Sequence, residues 1–471
     1  MLAALALGTG VGAAAATTPA AASTTQTTFF EAPNDLLSAS TRPHAIAQLQ
    51  SLGVHALRIV MYWEDVALAP NSTKVPKVNL ASPNEYDWGQ YAALIDEASA
   101  LHWTIMLDVS GPEPKWATAS KKDHVTRPTA YLYQDLMTAV GKEFGSKVSL
   151  WAIWNEPNHP FFLMPQFNSN GTPASPMMYR SLWQAGYAGL RQAGLKSPRV
   201  LIGDTAPTGY EHTTGAHDMA PITFLQGTLC LNSHWRKAST CAELPAYGWA
   251  HHAYSLPAGP YFQWSDPNEV TIGSLSRLTR ALDLAARAHA IRGGMPIYLT
   301  EFGWQTKPNN SGLAVSYAQQ AQFNAISEHI AYLNGRVAGF SQYLLRDDPV
   351  GGPAGSGVSG GYVGFQTGLE TVKGAPKPSY NGFRLPLTVT PSGHGFQLWG
   401  LVRPATGRTH LQVIVLNKHS RRYVNLLRSV TTNSGGYWTI HTSDTAGQQF
   451  EVRWRAPNGT LYTGAPIAPY R

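Results

Sequence analysis

The chain has 471 residues, 35 Lys and Arg against 28 Asp and Glu, and a formal net charge of +7. Apolar residues make up 43%, enough to bury a large core, which excludes global disorder. No apolar run reaches the roughly 18 residues that span a bilayer, and the basic excess is too thin and scattered for a nucleic-acid binder.

Residues 1–25 read as a leader. Residues 2–16 are small and apolar, and Ala20-Ala21-Ala22 has the small-x-small form of a signal cleavage site. The first Lys or Arg is Arg42, so the basic start of a signal peptide is missing. A secretory signal and a disordered Ala-rich leader both stay open. From 26 to 385 short β-rich runs alternate with longer amphipathic ones. Predicted strands cover 27–30, 56–62, 104–109, 149–154, 200–204, 249–254, 297–301 and 338–344. Predicted helices cover 42–52, 88–101, 130–144, 178–193, 272–290 and 314–333, each with apolar residues three to four apart. Gly53, Gly145 and Gly335 follow helical runs, and Thr41 and Asp87 stand where N-caps belong. Eight strands alternating with such helical stretches predict an α/β fold, a (β/α)8 TIM barrel, over residues 26–385.

Long Gly-, Pro- and aromatic-rich segments follow the strands at 63–84, 110–126, 155–176, 205–220, 255–271 and 303–312. In such a barrel the loops after strands build the active face. The Gly-rich stretch 351–361 reads as a flap or as a plain surface loop. After Pro386 short alternating runs recur at 396–402, 411–416, 437–441, 450–454 and 460–462, with Ser434-Gly435-Gly436 and Pro457-Asn458-Gly459 as turns. Residues 386–471 therefore form a small all-β, sandwich-like domain. Its aromatics fit sugar binding, but a module that braces the barrel is the simpler reading. Cys230 and Cys241, behind a secretory-looking start, are expected to pair as one local disulfide. Two Cys do not fill a metal site, and alternation sends His251 and His252 to opposite faces, so no metal and no cofactor are expected.

Two glutamates end predicted strands. Glu156 closes Trp151-Ala152-Ile153-Trp154-Asn155-Glu156, and Glu301 closes Ile297-Tyr298-Leu299-Thr300-Glu301. On strands four and seven of a barrel both point into one cleft. Two carboxyls across a cleft are what glycosidic cleavage needs: one protonated to donate to the leaving oxygen, one ionised to attack the sugar or activate water.

These motifs resemble those of the clan A retaining glycoside hydrolases, in the neighbourhood of families 39 and 5. Asn155-Glu156-Pro157 is similar to the clan's acid/base motif, and Thr300-Glu301-Phe302-Gly303 to its nucleophile motif. The resemblance implies that Asn155 bonds the sugar 2-hydroxyl and that Arg58 lies beneath the nucleophile. It implies that Tyr254 of His252-Ala253-Tyr254 touches Glu301. Phe365-Gln366-Thr367-Gly368-Leu369 and Lys377-Pro378-Ser379-Tyr380 resemble the barrel ending. The floor Trp of many members is missing on strand eight, where Tyr343 or Gln342 stands in its place.

The function expected is a secreted, monomeric retaining hydrolase that cleaves a β-type linkage in a carbohydrate without a cofactor. Transglycosylation by the same residues and a non-catalytic sugar binder on a degenerate barrel stay open. Trp63, Trp116, Phe161, Phe162, Trp264 and Trp304 are the aromatic platforms from which two or three sugar contacts are expected. Trp88, Trp103 and Trp151 are expected in the core. Asp108, Glu113, Asp204, Glu64, Asp347 and Asp348 read as hydroxyl contacts or solvated loop charges. Trp154, Pro157 and Phe161 predict a dry setting that raises the Glu156 pKa. Retention predicts carboxyls about 5–5.5 Å apart.

Overall fold

A computed structural model describes residues 26–307, 312–349, 364–417, 419–420, 422–443 and 448–470. The leader and the Gly-rich 351–361 stretch lie outside the described residues. Eight parallel strands carry the first part of the chain: β1 (Thr27–Glu31), β2 (Ala56–Tyr62), β3 (Thr104–Ser110), β4 (Leu150–Ile153), β5 (Leu201–Thr205), β6 (Gly248–His252), β7 (Ile297–Glu301) and β8 (Val337–Tyr343). Their order is β4-β3-β2-β1-β8-β7-β6-β5. A parallel bridge between Trp151 and Val200 brings β4 back to β5, so the sheet closes into a (β/α)8 barrel.

Side-chain alternation explains how the barrel interior divides. Phe29, Ala56, Met106, Ala250 and Tyr298 point inward and form an apolar plug with Leu150, Ala152 and Leu201. Two residues further along the same strands stand Glu31, Arg58, Asp108, His252 and Thr300, which are buried too. A strand repeats its facing every second residue. The polar layer therefore sits directly above the plug, at the C-terminal ends of the strands. Outward-facing side chains pack under the helices. Trp88, Trp103 and Trp151 are buried there, as expected.

Helix boundaries follow the periodicity closely. The helix Ala130–Phe144 has the expected limits, and the run expected at 272–290 becomes a 3-10 turn, Ile272–Ser274, followed by the helix Leu275–Arg287. Thr41 and Asp87 do not cap. Thr41 is itself helical and its hydroxyl donates to the Asp35 carbonyl at 2.8 Å, while the next helix begins one residue late, after Trp88. A reciprocal side-chain cap does form ahead of the helix Tyr317–Leu333, from Ser316 and Gln319.

After the helix Pro378–Arg384 come two antiparallel sheets. One contains β9 (Leu387–Ser392), β10 (Gly395–Leu401) and β13 (Tyr437–Ser443) in the order β13-β10-β9. The other contains β11 (His410–Asn417), β12 (Tyr423–Thr431), β14 (Gln448–Arg455) and β15 (Leu461–Thr463) in the order β12-β11-β14-β15. Leu387, Val389, Leu398, Val413, Trp438, Phe450 and Trp454 share one core between them. β9 and β12 were not legible as strands. β9 contains Pro391, tolerated because β9 is an edge. β12 is almost wholly exposed, and two bulges in its pairing break any alternation.

The sheets rest on the helix Tyr317–Leu333. His329 stacks on Trp399 at 4.5 Å, and Arg403 holds both carboxylate oxygens of Glu328, at 2.8 and 2.7 Å. Arg403 also donates to Thr28 of β1 at 2.5 Å. Cutting one partner of a buried pair strands the other charge. Glu328→Gln is therefore expected to cost about 3 kcal/mol in urea unfolding, whereas changing both residues to apolar ones of similar volume costs less. Further on, the Tyr470 N–H donates to the Val389 carbonyl at 3.1 Å, and its ring meets Tyr261 and Phe323 at 6.0 and 5.5 Å. Gly259, at φ 114°, has no room for a Cβ against the Tyr470 hydroxyl.

Candidate active site

Arg58 is the centre of the polar layer. Nη2 donates to Asp108 Oδ2 at 3.0 Å, Asn155 Oδ1 at 2.6 Å and Asp204 Oδ2 at 2.7 Å. Nη1 donates to Glu31 Oε2 and, at 3.3 Å, to Glu301 Oε2. One fully buried guanidinium thus gathers four carboxylates from four strands. Burial pushes the Asp204 carboxyl up, but the charges of Arg58 and His252 and hydrogen bonds from the cluster outweigh it and hold it well below the usual range. Asp108 and Asp204 are structural members of this cluster, which corrects their reading as solvated loop charge.

Glu156 leaves β4 on a sharply bent backbone. Trp154, Glu156 and, on the neighbouring β5, Asp204 all have left-handed φ values of 70°, 39° and 51°. Such conformations are uncommon for these residue types and cost of order 1–3 kcal/mol each. The Glu156 N–H donates to the Asp204 carbonyl at 3.0 Å, and the Asn155 N–H to Ser110 Oγ at 2.9 Å, which fixes the turn. Because Asn155 Oδ1 accepts from Arg58, its Nδ2 is the atom left to donate into the cavity.

Glu301 and Glu156 meet at His252. His252 Nδ1 is 2.7 Å from Glu156 Oε1 and 3.7 Å from Glu301 Oε2, while Nε2 lies 3.3 Å from Asp204 Oδ1. The two glutamate oxygens are therefore no more than 6.4 Å apart, the sum of 2.7 and 3.7 Å through one nitrogen. The Tyr254 hydroxyl donates to Glu301 Oε1 at 2.6 Å. The Tyr254 ring is held between Phe302 and Phe365, at 6.0 and 6.2 Å.

Burial favours a neutral His252, yet the surrounding Glu301 and Asp204 charges raise its pKa well above the usual histidine value. Burial also pushes Glu156 up, but the hydrogen bond and charge of His252 bring its pKa below the usual value. This corrects the expectation of a raised Glu156. The aromatic surroundings are present, but a cationic imidazole in hydrogen-bond contact outweighs them. His251 faces the other way. It contacts Thr205 Oγ1 at 2.9 Å and the Val270 carbonyl at 3.0 Å, and burial lowers its pKa to about 4.

A cavity of about 380 Å³ opens above this layer. Glu31, Asn155, Glu156, Tyr254, Glu301, Tyr343, Phe161 and Phe162 all line it. Arg58 and His252 lie just beneath. Trp63 and Trp304 do not reach it, which corrects their expected sugar contact. Trp63 begins a short helix and packs against Trp116 and Tyr133, at 5.8 and 5.7 Å; Trp304 packs against Phe323 at 4.9 Å. Trp116 is equally buried. Trp264 lies outside the lining and packs on Phe262 at 5.2 Å. Gln342 also turns away, donating to the Tyr343 and Thr367 carbonyls at 2.8 and 3.1 Å. Asp347 is paired with Lys377 at 2.7 Å. Cys230 and Cys241 are joined, with Cα atoms 6.3 Å apart, in the excursion before β6.

Sequence reasoning missed Glu31, because the first strand was ended at Phe30. The signal was there: an acidic residue directly after a β-run, in the same position as Glu301. His159 and Asp218 on the rim, 3.4 Å apart, carried no pattern.

No family model matches the sequence, and no curated protein matches it. Solved structures do match. The glucosidase from Croceicoccus marinus superposes with a TM-score of 0.51 at 10% identity, covering 91% of this chain and 94% of that one. The fold is similar to that of a glucosidase. The β-glycosidase from Pyrococcus horikoshii gives a TM-score of 0.44 at 16% identity over 72% of this chain and 82% of its own. A Bacteroides uniformis β-glucuronidase gives 0.46 at 8% identity, over 95% of this chain and 46% of its own. At such identities these likenesses speak to fold alone. Among the described residues no helix is long and apolar enough to cross a membrane.

Proposed function

We propose that the protein is a retaining glycoside hydrolase of the clan A kind, secreted, that cleaves a β-type O-glycosidic bond in a polysaccharide, oligosaccharide or glycoside. The observation that carries this reading is the single His252 nitrogen in reach of two glutamates. It keeps their facing oxygens within 6.4 Å of each other, which supports a closely spaced pair acting on one bound sugar, as a retaining mechanism needs. Glu301, oriented by Tyr254 and Arg58, attacks the anomeric carbon and forms a covalent glycosyl-enzyme. Glu156 protonates the departing oxygen. His252 Nδ1, 2.7 Å from Glu156 Oε1, is placed to supply that proton to Glu156 and to take it back in the second step. In the second step Glu156 takes a proton from water, which releases the sugar with its original anomeric configuration.

A panel of aryl glycosides and polysaccharides, with the first-formed anomer read by NMR, tests this reading. A product of inverted configuration overturns it, as does glycan binding with no turnover across the panel. Glu156→Ala is expected to lose roughly 10²–10⁴-fold in kcat/KM on glycosides with poor leaving groups. Activated aryl glycosides, which leave without a proton, should suffer far less. Equal loss on both kinds removes Glu156 from the acid role.

A further inference from the structure

The cavity holds a third carboxylate that the double-displacement chemistry does not use. Glu31 ends β1, is 5% exposed and lines the cavity wall. Its Oε2 is held by Arg58 Nη1. Its Oε1 has no hydrogen-bond partner among the described residues. With one end of the carboxyl fixed by Arg58, the other oxygen is the acceptor that Glu31 presents to the cavity.

The cavity wall is acidic, while the cations beneath it, Arg58 and the His252 imidazole, are already engaged: His252 lies 2.7 Å from Glu156, 3.7 Å from Glu301 and 3.3 Å from Asp204. Glu31, Glu156, Asp218 and Glu301 line the cavity, and among the described residues no Lys or Arg does. The guanidinium underneath has no exposed side-chain surface, and its Nη atoms are spent on Glu31, Glu301, Asp108, Asn155 and Asp204. His159 on the rim is paired with Asp218 at 3.4 Å. A sugar hydroxyl or ammonium brings donors to these acceptors. A uronate adds a further negative charge to this wall and finds no Lys or Arg on it to pair with.

We propose that Glu31 is a specificity-determining residue, whose free oxygen accepts a hydrogen bond from the sugar bound in this cavity. Together with the other lining carboxylates it restricts the site to neutral or amino sugars and excludes uronates. This rests on the glycosidase reading above and names its substrate class. Charge-assisted hydrogen bonds from sugar to carboxylate are the strong kind. Like-charge juxtaposition in a buried site is correspondingly costly.

The test uses the full chain and aryl glycoside pairs that differ only at C6, such as 4-nitrophenyl β-glucoside and β-glucuronide or the corresponding galacto pair. The neutral member of the best pair is expected to exceed its uronide by at least about 100-fold in kcat/KM. Glu31→Gln keeps the shape and removes the charge. It is expected to lose roughly 10- to 100-fold on the best neutral glycoside. Because Glu31 also contacts Arg58, a loss alone does not separate reading the sugar from supporting the cluster. Monodeoxy substrates separate them. In the wild type, removing the hydroxyl that Glu31 reads costs activity; in Glu31→Gln the same deletion costs little, while deletions elsewhere keep their full effect. Additive losses at every hydroxyl overturn the proposal, as does a uronide preferred over its neutral partner. If nothing is cleaved, the hydrolase reading fails by itself. Calorimetric binding of the same neutral and uronide glycosides to the wild type and to Glu31→Gln then decides on Glu31, since binding needs no chemistry.

Discussion

Glu301→Ala is expected to lower kcat by on the order of 10⁴- to 10⁶-fold, the scale seen when a covalent nucleophile is removed. The variant should fold, because Glu301 is at the cavity and its removal leaves Arg58 with three carboxylate partners. The missing carboxylate also leaves space beside the anomeric carbon. A small anion such as azide can enter from that side and attack, so activated aryl glycosides should turn over again when azide is added. The product is then a glycosyl azide of opposite anomeric configuration, since only one displacement has taken place. Identifying that anomer by NMR assigns the attacking face to Glu301. Rescue of Glu301→Ala that gives the original configuration, or full activity without azide, removes Glu301 from the role. Azide rescue of Glu156→Ala gives the original configuration, so the two glutamates are told apart by one measurement.

Arg58→Met should be the most destabilising single change in the barrel. It leaves Glu31, Asp108, Asp204 and Glu301 facing one another with the guanidinium gone. Removing one partner of a buried pair costs about 3–5 kcal/mol, and four carboxylates share this one, so a loss of about 5 kcal/mol or more is expected. That is comparable to the whole stability of many domains. The pH dependence gives the sign of the cause. Burial already raises Glu31 to about 7, against the lowering charge of Arg58, and raises Asp108 well above its usual value. Without Arg58 these folded-state pKa values rise further. A carboxyl whose pKa is raised on folding stabilises below its unfolded pKa and loses that contribution as pH climbs through the folded value. Denaturant midpoints of the variant should therefore fall from pH 5 to pH 8 more steeply than those of the wild type. Asp204 works in the opposite sense. Held well below its usual value in the wild type, it contributes above about pH 4 and loses that contribution as acid protonates it. A variant that melts like the wild type across this range shows that Arg58 does not compensate the cluster.

Much of this architecture was legible because β-strands and helices leave different apolar spacings, and eight alternations admit few closures. The limits of β2, β7 and the helix Ala130–Phe144 were read to the residue. Glu156 and Glu301 stood out because each follows a buried run directly. What stayed hidden is what depends on contact rather than order. Trp63 follows β2 as a loop aromatic should, and nothing local says that Trp116 will cover it. The direction of the Glu156 pKa turns on His252, which is 96 residues away in sequence. β12 has no buried side to announce itself.

The contact of Tyr470 with Gly259 and Tyr261 bears on when the cavity wall is complete. Ser255, which lines the cavity, belongs to the same loop. Its brace is synthesised about 200 residues after it, or roughly 10–40 s later at ordinary translation speeds. The tyrosine is also tied to Val389 in β9, so it arrives only with the two sheets in place. A barrel that has already closed around Arg58 must wait for this far partner to hold one side of its own pocket. A chain whose barrel closes during synthesis would hold its reacting groups before the loop beside them is clamped.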